Sequence, residues 1–232
     1  MIEVFYSRDR FSGVKMGASF LRLALAAAVF LPVVAFAQAW FQYSSSLDYF
    51  RIHTPGDFEI EEIEYSSEYG AVFPARVYGF GSGRNHYSVT VVDYTDSKAI
   101  HAARTNRTEA DYLSLYWEID IRASVAYAAA NLRNRGGQIT YDAYHYIDRV
   151  EGHQLQITNT DQSRSYAAIY LHESRLYIVE ATVAPGLPPP GMFQQSLEFI
   201  DEAGQKIRYR DFSDATKVSG APIRGVEQRN SE

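Results

Sequence analysis

The sequence predicts an α+β domain, an antiparallel sheet with helices packed on it. Aromatic residues make up 14% of the chain, with 18 Tyr and 13 Phe, and these side chains favour strands. Segments of strand character fall into two groups, separated by one long stretch of helical spacing, and a second helical stretch follows. The links between the later strands are short, which favours antiparallel neighbours. Strands and helices grouped in this way belong to the layered α+β class.

The chain of 232 residues opens on an address rather than on the fold. Residues 23–37 read LALAAAVFLPVVAFA, fifteen apolar residues preceded by Lys15 and Arg22. A membrane-spanning helix needs about 20 apolar residues, so the run is short for an anchor. Ala35, Ala37 and Ala39 place small residues where a signal peptidase reads them, and cleavage after Ala37 or Ala39 both fit. Met16 gives a conventional start for such a leader, so residues 1–39 are read as an N-terminal extension and signal peptide. Removing the leader takes four basic and two acidic residues from a chain with 22 and 28. The remaining 18 and 26 carry a formal charge of −8. A net anion lacks the field that drives non-specific nucleic-acid binding, so no nucleic-acid partner is expected.

Residues 40–212 form a single domain in this reading. Trp40–Tyr43, Tyr49–His53, Phe58–Tyr65, Ala71–Tyr78 and His86–Tyr94 are β-favouring runs, separated by turn-forming residues. The alternation in Phe58–Tyr65 doubles at Glu61-Glu62, and a β-bulge there would return Ile63 and Tyr65 to the buried face. A short helix over Lys98–Arg104 precedes the long one. Thr108 with Asp111 resembles a capping box. Tyr112, Leu115, Tyr116, Ile119, Ala123, Ala126 and Ala130 then follow at helical spacing. Gly136-Gly137, just after Arg133 and Arg135, ends the helix. Strands resume over Gln138–Val150, His153–Asn159, Ser165–Leu171 and Leu176–Val183, with a turn at Glu151-Gly152 between the first two. Both alternate sets of Leu176–Val183 are largely apolar, which suits a sheet covered on both faces. A second helix is expected over Met192–Asp201 and a last strand over Lys206–Phe212. Residues 213–232 are polar with scattered Gly and Pro, and read as a disordered tail.

The segment Tyr49-Phe50-Arg51-Ile52-His53-Thr54-Pro55-Gly56-Asp57-Phe58, the late hairpin Tyr170–Ala181 and the helix Phe193–Ile200 together resemble the PsbP-like (Mog-like) group. The resemblance covers most of residues 40–212 as a pattern of elements. It implies an α-β-α sandwich, a role in binding or assembly, and no shared catalytic residues.

The motifs that carry chemistry are few. There is no cysteine, which excludes disulfides, thiolate metal sites, cysteine nucleophiles and a lipid anchor on Cys. The six histidines, His53, His86, His101, His145, His153 and His172, show no metal-ligand spacing, although His53 and His86 could converge across strands. Gly79-Phe80-Gly81-Ser82-Gly83 precedes a strand, not the helix a phosphate cradle needs, and reads as a hairpin loop. Glu59, Glu61, Glu62 and Glu64 alternate along a strand, which spreads them over a solvated face instead of around a calcium ion. Asn106-Arg107-Thr108 matches a glycosylation sequon to which the capping role of Thr108 gives another explanation. No G-x-S-x-G elbow supports a serine triad.

The candidate binding residues are Tyr144 and Tyr146, in the aromatic run Tyr141, Tyr144, His145, Tyr146. The two tyrosines share a face with Asp142 and Asp148. Tyrosine offers contact area at low entropic cost, as a recognition surface requires, and packing under a helix is the competing role. No catalytic residue, metal or cofactor is expected. The sequence thus points to an exported, periplasmic or secreted binding or assembly module with no membrane span after leader cleavage. Another envelope protein is its expected partner. A hydrolase or small-ligand-binding protein of the envelope is the alternative. The oligomeric state is left open by the sequence.

Overall fold

The computed structural model describes residues 40–105 and 115–209. The leader, the capping box and sequon around Thr108, Tyr112, residues 210–212 of the expected last strand and the 213–232 tail lie outside the described residues. The elements, in chain order, are β1 (Phe41–Ser45), β2 (Phe50–Thr54), β3 (Glu59–Ser66), β4 (Val72–Ser82), β5 (Asn85–Asp93), α1 (Ser97–Ala103) and α2 (Tyr116–Asn134). There follow β6 (Gln138–Ile147), β7 (Val150–Thr158), β8 (Arg164–His172), β9 (Arg175–Val183), α3 (Gly191–Gln195) and β10 (Glu198–Phe199).

Seven strands make one antiparallel sheet in the order β3-β4-β5-β9-β8-β7-β6, and β1-β2-β10 make a second, smaller one. The protein is therefore mostly β, which corrects the expected α-β-α sandwich and the fold implied by the PsbP-like resemblance. Helices α1 and α2 cover one face of the large sheet, where Trp117, Ile121, Ala128 and Leu132 meet Leu155, Ile169 and Leu176. The opposite face is covered by the small sheet and the five-residue α3, through Phe50, Ile52, Phe193 and Phe199 against Tyr78, Tyr177 and Val179. The covering of both faces explains why β9 is apolar on both sides.

The expected second helix forms only over Gly191–Gln195, and it stops short for a local reason. After α3 the chain is extended: Glu198–Phe199 pair with Arg51 and Phe50 of β2, and Leu197, Phe199 and Ile200 are buried. Helical spacing of Phe193, Leu197 and Ile200 is an accident of a short helix followed by a strand. The expected last strand reduces, in its described part, to a single bridge between Ile200 and Lys206.

Other boundaries shift as well. No bulge interrupts β3: the register runs unbroken from Glu59 against Gly79 to Ser66 against Val72. Ile63 and Tyr65 reach the helix-covered core at the cost of leaving Ile60 55% exposed. Helix α2 has Leu115 at its N-cap. It buries Trp117, Ile121, Ala128 and Leu132, while Ile119 stays exposed. The alanines matched two faces equally well, so spacing alone selected the wrong one. The β6–β7 turn is Asp148-Arg149, both at positive φ, as a two-residue hairpin demands. Glu151-Gly152 lies within β7 instead. Gly152 is required there because a Cβ would overlap the Tyr170 ring and the Ile169 carbonyl oxygen.

The small sheet is clipped onto the large one at Asp48, a fully buried residue between β1 and β2. Its carboxylate accepts from Arg76 Nε at 2.7 Å and Nη2 at 2.5 Å, and from the Tyr78 hydroxyl at 2.5 Å. The Tyr177 hydroxyl donates to the Asp48 carbonyl at 2.8 Å. Arg76 and Tyr78 come from β4 and Tyr177 from β9, so one turn residue fixes the small sheet to two strands of the large one. The carboxylate raises the Arg76 guanidinium further above its ordinary range, its hydrogen bond being the largest cause. A buried charge is tolerated only when paired and hydrogen-bonded in this way.

Candidate functional site

A concavity lies on the helix-covered face, between α2 and the strands β6, β7 and β8. It is a cavity of about 500 Å³, the size range of small-ligand sites. Val125, Ala126, Ala129 and Leu171 give it apolar walls, and Arg122, Arg133, His153, Glu151 and Tyr144 line it with polar groups. Small side chains on α2 at Ala126 and Ala129 leave the space that a larger residue would fill.

An ion-paired cluster borders the cavity. Arg133, in the last turn of α2, donates from Nε and Nη2 to the two oxygens of Asp142 on β6, at 2.7 and 2.8 Å. His153 Nε2 contacts Asp142 Oδ1, and Arg133 Nη2 lies 3.0 Å from the same nitrogen. One ring nitrogen cannot donate and accept at once, and the closer carboxylate assigns Nε2 as a donor. Its proximity to Arg133 is then a contact rather than a bond. The Arg133 hydrogen bond, with help from His153, holds the Asp142 carboxyl down at about 2. A carboxylate so strongly favoured in its ionised form is a weak base. Its role is to fix α2 to the sheet edge.

Of the two sequence candidates, Tyr144 lines this cavity, while Tyr146, two residues further along the same face of β6, borders a second recess of about 440 Å³ with His53, His145 and Lys206. Tyr144 pairs across the ladder with His153 and Tyr146 with Glu151. The rings of Tyr144 and His153 meet edge-on with centroids 5.6 Å apart. Tyr144 is 83% exposed and Tyr146 50%, so neither is packed under the helix. Asp142 shares their face, whereas Asp148 leaves it in the turn and faces Lys206 at 3.2 Å. His145 points to the other face, where its Nδ1 lies 2.8 Å from the Tyr170 hydroxyl. Burial lowers its pKa.

His53 shares a recess with His145 and Tyr146, but the groupings considered from the sequence do not form. His53 is in the small sheet and His86 in the large one. The glycine-rich segment is the end of β4, turning at Gly83-Arg84 into β5. Glu59, Glu61, Glu62 and Glu64 line the exposed outer strand β3. Among the described residues no three His, Cys, Asp or Glu side chains are grouped to hold a metal ion.

Sequence reasoning missed one buried cluster. Ser67 Oγ donates to Asp120 Oδ2 at 2.6 Å, and His101 Nε2 lies 2.8 Å from the same oxygen. All three residues are buried. A hydrolytic triad puts the imidazole between nucleophile and carboxylate. Here the carboxylate stands in the middle, so His101 has no hydroxyl to activate in this cluster. The arrangement ties α1 and the β3–β4 turn to α2.

Among the described residues no helix is long and apolar enough to cross a membrane. No family model matches the chain, and no curated protein matches it either.

Proposed function

We propose that the protein is an exported binding or assembly module of the cell envelope, and that it recognises a protein partner through the exposed face of β6 that carries Tyr144 and Tyr146, with the cavity beside Tyr144. The exposure of Tyr144 carries this reading. A tyrosine held on a strand and open to solvent loses little entropy on contact. The partner's side chains have an apolar-walled recess to fill beside it. The leader read from residues 23–37 supports the location.

A second reading, a small-ligand-binding protein or hydrolase, is favoured by the volume of the same cavity. Two strongly shifted groups converging there would favour chemistry. The rim offers one, Asp142, and its shift is toward an inert carboxylate.

A photo-crosslinking amino acid in place of Tyr144, introduced into the full chain in its own cell, tests the proposal. One reproducible heterologous adduct, absent when the crosslinker replaces Ile60 on the far edge, is expected. Labelling no stronger than at the Ile60 position would overturn the partner reading. A thermal-shift screen of small envelope metabolites would then test the second.

A further inference from the structure

We propose that β6 is the seam of a homodimer, in which two copies pair their β6 strands antiparallel and join two seven-stranded sheets into one. This goes beyond the partner reading above and does not rest on it.

Among the described residues the large sheet has two outer strands, β3 and β6, each paired with one neighbouring strand. Such edges invite another strand, and proteins guard them with charge, proline or bulges. The two edges here are treated oppositely. Strand β3 carries Glu59, Glu61, Glu62 and Glu64 in eight residues. Pairing two copies there would bring four carboxylates against four. Strand β6 reads QITYDAYHYI, with no lysine, no proline and one carboxylate. That carboxylate, Asp142, is already neutralised by Arg133.

The exposed apolar surface is concentrated on the same strand. Of eleven large hydrophobic side chains exposed among the described residues, Ile139, Tyr141, Tyr144 and Tyr146 lie on β6. The register shift between Ile139 and Tyr141 marks a bulge at Thr140. It confines regular pairing to Tyr141–Ile147, a stretch of about 20 Å, the length of an ordinary strand.

Charge chooses a second copy as the occupant. A two-fold axis perpendicular to the sheet keeps both α2 layers on one side, and residues facing each other across the seam then share a face. On the α2 face the set is Asp142, Tyr144 and Tyr146. Except for the register centred on Asp142, every such pairing sets tyrosine against tyrosine or tyrosine hydroxyl against carboxylate. No like charges meet, and each phenol gains an aromatic or acceptor neighbour. The same operation places the two cavities side by side across the axis, with Tyr144 at the inner rim of each.

The test is sedimentation velocity on protein purified from cells expressing the full chain, over a roughly hundredfold range of concentration. The expected result is a mass twice that of one purified polypeptide. The double variant Tyr144→Lys, Tyr146→Lys puts four ammonium groups near the axis and should weaken association at least about tenfold, equivalent to about 1.4 kcal/mol. Ile60→Lys on the β3 edge should leave the dimer intact. Tyr144→Lys alone, at the most exposed position, should show the same direction, and circular dichroism checks that each variant is folded. A monomer throughout, whether β6 is bare or covered by the C-terminal residues or another protein, overturns the proposal. So does a dimer that neither lysine variant weakens. A monomer that still gives a heterologous crosslink at position 144 overturns the dimer alone. A dimer with no such crosslink overturns the partner reading alone.

Discussion

At the scale of single residues, the polar groups in the interior are organised by what they can pair with. His172 shows the limit of that rule. Its ring stacks on Phe199 with centroids 4.2 Å apart and Nε2 lies 2.6 Å from the Tyr209 hydroxyl. Nδ1 is buried with no hydrogen-bond partner. The tolerable state is therefore neutral, with Nε2 donating and only a lone pair left bare. A second proton would be a buried, unpaired charge. Burial, followed by the nearby Arg175 charge, lowers the pKa from 6.5 to about 4. The folded state then resists a proton that the unfolded chain takes up below about pH 6.5. Stability is fully present above that pH and falls as the pH drops toward 4. The shift corresponds to about 3 kcal/mol, at about 1.4 kcal/mol per unit. Urea unfolding at several pH values should show this slope, and His172→Gln should flatten it. An unchanged slope in the variant would assign the acid sensitivity to other groups.

At the scale of elements, the sequence was read well wherever pattern and turn chemistry agreed. The strand pairs flanking Gly83 and Glu173-Ser174 were visible because polar turn residues separate clear β-favouring runs. The helix ends at Gly136-Gly137 as expected, since glycine takes the positive φ found at both, 90° and 96°, without the steric cost a side chain would carry. Reading failed where one-dimensional spacing is degenerate. Alanine matches several faces of α2 at once. Phe193, Leu197 and Ile200 fit a helix on paper, while pairing with β2 makes Glu198–Phe199 a strand. Gly152 looked like a turn residue, yet its absent side chain admits the Tyr170 ring, a tertiary demand that no local signal carries. Tyr144 and Tyr146 were found as an aromatic run. Their neighbours Arg133 and His153 were not, because only the fold brings α2, β6 and β7 together. The β7 reading has a direct consequence. Gly152→Ala should cost at least about 2 kcal/mol, since the new Cβ meets backbone on one side and a packed ring on the other. A melting temperature within about 2 °C of the parent would show that β7 and β8 can separate freely there.

At the scale of the whole molecule, the described domain is three layers around two hydrophobic clusters, and the large sheet belongs to both. Strand β9 gives Tyr177 and Val179 to the cluster under the small sheet and Leu176 to the cluster under α2. Strand β8 does the same with Tyr170 on one side and Ile169 on the other. Neither cluster can open fully without exposing the back of the other, and the Asp48 clip removes the simplest route to losing the small sheet by itself. The domain should therefore unfold as one unit despite its two cores. Phe50→Ala deletes a ring packed 5.0 Å from Tyr78 in the first cluster and should cost about 3–5 kcal/mol. Ile121→Ala deletes a fully buried side chain in the second and should cost about 2–5 kcal/mol. Denaturant unfolding followed by near-UV and far-UV circular dichroism should give a single coincident transition for each variant, shifted to lower denaturant. The two variants remove atoms from opposite faces of the sheet, so the double variant should lose the sum of the two costs. A split transition, with the Phe50→Ala step leaving the α2 layer folded, would instead make the small sheet a separate cooperative unit docked on the larger one.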